Sequence, residues 1–139
     1  MPSRVKCVII LNSELPTGLL ANTAAVLALS VGKAFPELIG DDLTDADGVC
    51  YPGITTIPVP VLAAAKDDLS SLARRLAEGP DSELRHFVVT NVAQRTKDYA
   101  DYAEQLAQTG TDELSYLGVA ICGPQKRVDS LSGSLPLLR

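Results

Sequence analysis

The sequence predicts a three-layer α/β/α sandwich built on a mixed β-sheet. Three observations carry that expectation. Runs rich in Val and Ile recur along the chain, amphipathic helical periods separate them, and an Asp47-Gly48 pair marks a hairpin. With 139 residues there is one domain, 1–139, and enough chain to bury a core. Apolar residues make up 46% against 21% charged, so the composition is globular and not disordered.

The first run, RVKCVIILN at residues 4–12, is nearly continuous in apolar side chains, the pattern of a central strand covered on both faces. The turn SELPTG leads into LLANTAAVLALSVGKA, a helix apolar almost all round and therefore expected to lie between layers, with Thr17 as its cap. Asp47-Gly48 then joins two short strands. ITTIPVPV follows, and Pro58 and Pro60 confine it to a sheet edge or an extended connection, because proline donates no ladder hydrogen bond.

KDDLSSLARRLAE is amphipathic, with Leu69, Leu72, Ala73 and Leu76 on one face, and GPDSE breaks it. LRHFVVTN reads as a strand. TKDYADYAEQLAQ reads as a helix turning Tyr99, Tyr102, Ala103 and Leu106 inward, and LSYLGVAICG as a last apolar strand.

Several function classes are excluded or disfavoured. The net charge is −5 and the twelve basic residues are scattered, so nucleic acid is not an expected partner. Arg74-Arg75 reads as solvated surface charge, whereas Lys126-Arg127 stays open because of its place near the chain end. No apolar run approaches the ~20 residues of a membrane span, and no cleavage site follows the N-terminal strand, so a cytoplasmic location is expected.

Cys7, Cys50 and Cys122 are far apart and His86 is the only histidine, which points to no metal, no disulfide framework and no cofactor. Cys7 and Cys122 are expected to be buried reduced thiols, with nothing near Cys122 to lower its pKa. The four aspartates at 41–47 do not make a calcium loop, because Leu43 and Ile54 would stand at its first and last ligand positions. There is no nucleophile elbow and no phosphate loop.

In open α/β sheets ligands bind beyond the carboxyl ends of the strands. Two such ends are polar here. Thr17, Asn22 and Thr23 follow the first strand, and Thr90, Asn91, Gln94 and Arg95 follow LRHFVV. If they converge, they form a neutral polar pocket for an amide, carboxylate or hydroxyl ligand. Otherwise Asn22 and Thr23 bond to backbone or to each other.

The C-terminal stretch LGVAICGPQKRVDSLSGSLPLL resembles the end of the type-2 peptidyl-tRNA hydrolases. Val128, Asp129, Ser132, Gly133, Leu135 and Leu137 fit that pattern. The resemblance implies a helix opened by Gly123-Pro124 and ended by Gly133, then an edge segment through Leu135 and Leu137. Over its whole length the chain resembles domain of unknown function 2000 still more closely, on DADGVCYPGIT, NVAQ and GSLPLLR.

The hydrolase's functional residues are largely replaced. Leu19 or Leu20 stands at its lysine, Thr23 at a glutamine and Asn91 at its aspartate, while Arg95 and Thr96 match. The hydroxyl residue of its last strand falls at Gly118, with Ser115 and Tyr116 nearest. The expected function is thus a non-hydrolytic small-molecule or partner-binding domain. The alternative is a hydrolase of peptidyl-tRNA or another acyl ester by an altered mechanism. The apolar helix and leucine-rich ending also predict a homodimer.

Overall fold

The N-terminal apolar run forms β1 (Val5–Asn12), buried continuously from Cys7 onward, in a computed structural model that describes residues 4–79 and 83–139. Next come α1 (Thr17–Ala34), the short β2 (Leu43–Thr44) and β3 (Cys50–Tyr51), β4 (Val61–Ala64) and α2 (Lys66–Glu78). The chain continues through β5 (Arg85–Thr90), α3 (Tyr99–Ala107), β6 (Tyr116–Pro124) and α4 (Gln125–Ser132).

The main sheet has the order β4-β1-β6-β5. β1 runs parallel to β4, and β6 runs antiparallel to both β1 and β5, so the sheet is mixed. The hairpin is not what mixes it. β2 and β3 pair only with each other, in a separate ribbon closed by Gly48, whose φ of 85° suits glycine. The prolines of ITTIPVPV fall ahead of β4, an edge strand, where Pro60 still accepts from the Ile9 N–H.

Alternation along β1 and β6 splits the core between the two faces of the sheet. Val8, Ile10, Val119 and Ile121 pack with Leu69, Leu72, Ala73 and Leu76 of α2 and Val128 of α4. Cys7, Ile9, Leu11, Ala120 and Cys122 pack with Leu27 and Val31 of α1. Helices therefore cover both faces, α1 on one side and α2 with α4 on the other.

The tail is ordered as its sequence implies. Pro124 caps α4, Gly133 ends it, and Leu137 bridges to Leu62 beside β4. The Ala63 N–H donates to the Pro136 carbonyl and the Leu138 N–H to Val61, so the leucine-rich ending is a short edge segment.

Three expectations are corrected. α1 is not enclosed between layers: Thr23, Leu27 and Val31 are buried, while Val26 is 41% and Leu29 76% exposed. The reason is that one stripe of α1 meets the sheet and, among the described residues, no other element covers Val26 and Leu29 on its outer side. This helix also reaches the length and hydropathy of a membrane span, though one of its faces packs on the sheet. The cap of α1 is Pro16, with no side-chain hydrogen bond, and not Thr17. Finally, α3 buries none of its residues. Tyr99 is 85% exposed and Ala103 exposed, while Tyr102 and Leu106 are half-buried. The breaker GPDSE falls partly outside the described residues.

Candidate functional site

The structure scatters the residues that the sequence grouped into one pocket. Thr23 is 1% exposed beneath α1, and its Oγ1 has no hydrogen-bond partner among the described residues. Asn22 lies on the outer, exposed side of the same helix. Thr17 borders an apolar groove of about 400 Å³ with Leu20, Ala24, Val61 and Leu138. Thr90 is buried, with its hydroxyl 3.1 Å from the Tyr102 hydroxyl. Gln94 is exposed, and the exposed Arg95 donates from Nε to Gln105 Oε1 at 3.2 Å.

Asn91 alone of this set enters a polar cleft, and that cleft belongs to the α2 side of the sheet. Asn22 and Thr23 ride on α1, across the sheet. A pocket joining Asn22 to Asn91 therefore does not form. The cause is topological: α1 and α2 flank β1 from opposite faces, and sequence proximity to a strand end does not fix the face.

The cleft that does form has a volume of about 530 Å³. One wall is the polar side of α2, where Asp67, Ser70, Ser71 and Arg74 recur at helical spacing beside Lys66. The other is the turn Thr111–Glu113 with Leu114 and Ser115. Asn91 closes the end, its Oδ1 accepting from the Ser115 N–H at 3.1 Å. This bond fixes the amide and ties the end of β5 to the start of β6.

Arg74 gives the cleft its chemistry. The Nη2 of its guanidinium lies 3.6 Å from Asp112, a carboxylate 94% exposed. An ion pair this open to solvent is worth ~0–1 kcal/mol. Its Nε is buried and unpartnered among the described residues. A buried donor left unsatisfied costs ~1–3 kcal/mol, which an incoming acceptor would recover. Arg74 is thus a partly solvated surface charge, its side chain 39% exposed while its Nε is buried. Its signal in the sequence was the Asp67-Ser70-Ser71-Arg74 stripe, opposite the leucines of the same helix.

Elsewhere the titratable groups serve local structure. Asp45 accepts from the Asp47 and Val49 N–H groups and from the Tyr51 hydroxyl at 2.7 Å, which holds its pKa below the usual carboxylate value and orders the β2–β3 turn. Burial pushes half-buried His86 below its ordinary value. Cys7 and Cys122 are buried free thiols, as expected. Cys122 departs from expectation in one respect: a hydrogen bond from the Cys7 thiol lowers its pKa. Among the described residues no three His, Cys, Asp or Glu side chains gather into a metal-holding group.

Fold and site together define a mixed α/β domain whose polar cleft, of mixed charge, lies beyond a carboxyl edge of the sheet. The chain belongs to the family described as protein of unknown function DUF2000, which it matches over residues 5–139. It is also similar in fold to a solved protein of unknown function from Agrobacterium tumefaciens strain C58. The two are 21% identical, with a TM-score of 0.86 over 96% of each chain. No curated protein matches the chain.

Proposed function

We propose that the chain is a non-hydrolytic, cytoplasmic binding domain on a type-2 peptidyl-tRNA hydrolase-like fold, taking a small polar ligand in the α2 cleft. The buried, unpartnered Nε of Arg74 on the cleft wall carries this reading. Two cations, Lys66 and Arg74, face three carboxylates, Asp67, Asp112 and Glu113, with hydroxyls between them. That lining suits a zwitterion, whose carboxylate takes the guanidinium from its weak pairing with Asp112 and whose ammonium meets the acidic rim.

The absence of hydrolysis is supported by the replaced groups. Leu19 and Leu20 are uncharged, and Asn91 is already committed to Ser115. The ordered tail, with α4 ended by Gly133 and Leu137 beside β4, supports the fold assignment.

The functional unit in this reading is a homodimer formed through α1. Gly18, Asn22, Ala25, Val26 and Leu29 make one exposed stripe opposite the buried Leu27 and Val31, and Lys33 is the only charge on the helix. An uncharged stripe lined with small residues is self-complementary across a two-fold axis.

Native mass spectrometry of freshly purified protein tests for a retained small molecule. Calorimetry with free α-amino acids and dipeptides as probes then compares the wild type with Arg74→Ala. Binding by at least one probe, weakened tenfold or more by the substitution, is the expected result. Absence of any retained molecule together with no binding by any probe sinks the proposal, as does equal binding by Arg74→Ala.

A further inference from the structure

Cys7 and Cys122 stand directly opposite each other on β1 and β6. The hydrogen-bond phase of this ladder follows from Pro124, which faces Val5 and has no N–H to give. The next pair outward is bonded, Gln125 N–H to the Arg4 carbonyl. Antiparallel pairs alternate, so Val5/Pro124 is a non-bonded pair and Cys7/Cys122, two residues on, is another. In such pairs the Cα atoms are about 4.5 Å apart and the side chains are at their closest. Both thiols point to the α1 face, where a hydrogen bond between them favours a thiolate on Cys122 and pushes loss of the second proton far up.

Both thiols are packed in the core, but Cys7 also borders a cavity. Cys7 forms part of the lining of a cavity of about 170 Å³ otherwise walled by Ile9, Val31, Leu38 and Val59, with the exposed Ala28, Ile39 and Thr55 at its rim. An apolar cavity of about 150 Å³ is enough to hold a benzene ring. The molecule thus places one soft sulfur donor, Cys7, in the wall of an apolar chamber sized for one ring, with the fully buried Cys122 directly opposite it on the neighbouring strand.

We propose that this chamber is a dithiol site for a trivalent metalloid carrying one small apolar substituent, a mono-organyl arsenical being the simplest case. The hydrated ligand, R–As(OH)₂, condenses with both thiols. Two As–O bonds break and two As–S bonds form, the thiol protons leave with the hydroxyls as two waters, and arsenic stays trivalent. The substituent occupies the apolar chamber while Cys7 and Cys122 chelate the arsenic. Chelation by two held groups exceeds capture by one thiol by ~10²–10⁴-fold.

The test uses phenylarsine oxide on the reduced full chain, followed by native mass spectrometry and thiol titration. The expected product is a one-to-one adduct that lowers the titratable thiols from three to one. It survives excess monothiol and is stripped by a small dithiol. Cys50→Ser leaves the adduct intact, whereas Cys7→Ser and Cys122→Ser each weaken it at least ~100-fold.

Because either core cysteine variant could fold poorly, Gly32→Leu provides a second arm with both thiols in place. Gly32 lines the chamber, and a Cβ added there meets no other atom within 4 Å, so the helix accepts the side chain. The variant is expected to reject phenylarsine oxide yet still bind inorganic arsenite, which carries no ring. An adduct confined to Cys50, no adduct on the folded wild type, or equal phenylarsine oxide binding by Gly32→Leu each overturns the proposal.

Discussion

Gly118 lies near the start of β6, facing Leu11 on β1 and Val89 on β5. A Cβ placed there would stand 2.8 Å from both Leu11 Cδ2 and Thr23 Cγ2 and 3.0 Å from Leu27 Cδ1. Carbon atoms prefer separations of ~3.5–4.0 Å, so the three neighbours would have to retreat by ~0.5–1.2 Å. Leu11 is held in the central strand. Thr23 and Leu27 are one helical turn apart on α1, and the compliant response is for that helix to lift off the sheet.

Replacing glycine by alanine in a strand is ordinarily favourable by ~0.5–1 kcal/mol, but overpacking a core costs ~1–3 kcal/mol. Gly118→Ala should therefore destabilise by ~0.5–2 kcal/mol, which for a domain of this size lowers the melting temperature by ~2–8 °C. Gly118→Val should do worse. Thr23→Ser removes the offending Cγ2, so combining it with Gly118→Ala should recover part of the loss in a double-mutant cycle. Circular-dichroism melts of the four proteins read this directly. A Gly118→Ala protein that melts at or above the wild type refutes the argument. The position also bears on function, since the hydrolase resemblance asks for a hydroxyl here and α1 leaves no room for one.

Three further outcomes are expected. Leu29→Glu, which charges the exposed α1 stripe, should turn a dimer of about 29 kDa into a folded monomer in light scattering, with an unchanged circular-dichroism spectrum at 25 °C; a wild type that is already monomeric at micromolar concentration removes the dimer. His86 has a folded-state pKa below its unfolded value because of burial, so the unfolded chain binds more protons as pH falls through 6.5. Stability should thus drop on acidification from pH 7.5 to 5.5, and His86→Gln should flatten that part of the profile; Asp45 and Asp101, whose lowered pKa values stabilise the fold above 3.8, act only at lower pH. On the proposed function, N-blocked aminoacyl-tRNA should not be cleaved above background, because the hydrolase resemblance puts Leu19 or Leu20 and Asn91 where charged groups would supply oxyanion stabilisation (~10²–10³ in rate) and general acid–base help (~10²–10⁴). Robust cleavage lost in Asn91→Ala would instead establish the hydrolytic alternative.

What the sequence determined by itself was local. Val and Ile runs marked β1, β5 and β6, Asp47-Gly48 marked the β2–β3 turn, and the leucine period of α2 named its buried face correctly. Each of these is written in neighbouring residues, through side-chain alternation, helical period or a glycine's φ. The tail was legible too, since Gly123-Pro124 and Gly133 bound α4 wherever the helix packs.

Which surfaces meet was decided only by the tertiary structure. The composition of α1 is apolar all round, yet how many of its sides are covered depends on how many elements arrive there, and among the described residues one sheet face and the segments around Leu38 and Val59 do. Asn22 and Asn91 both follow strand ends, but α1 and α2 leave the sheet on opposite sides. Arg74 looked like surface, and only the fold set the turn at 111–113 across a cleft from it. Cys7 and Cys122, 115 positions apart in the chain, became one dithiol because an antiparallel register put them opposite each other. Long-range pairing of this kind is fixed by packing energy summed over the whole sheet, and no short window of sequence contains it.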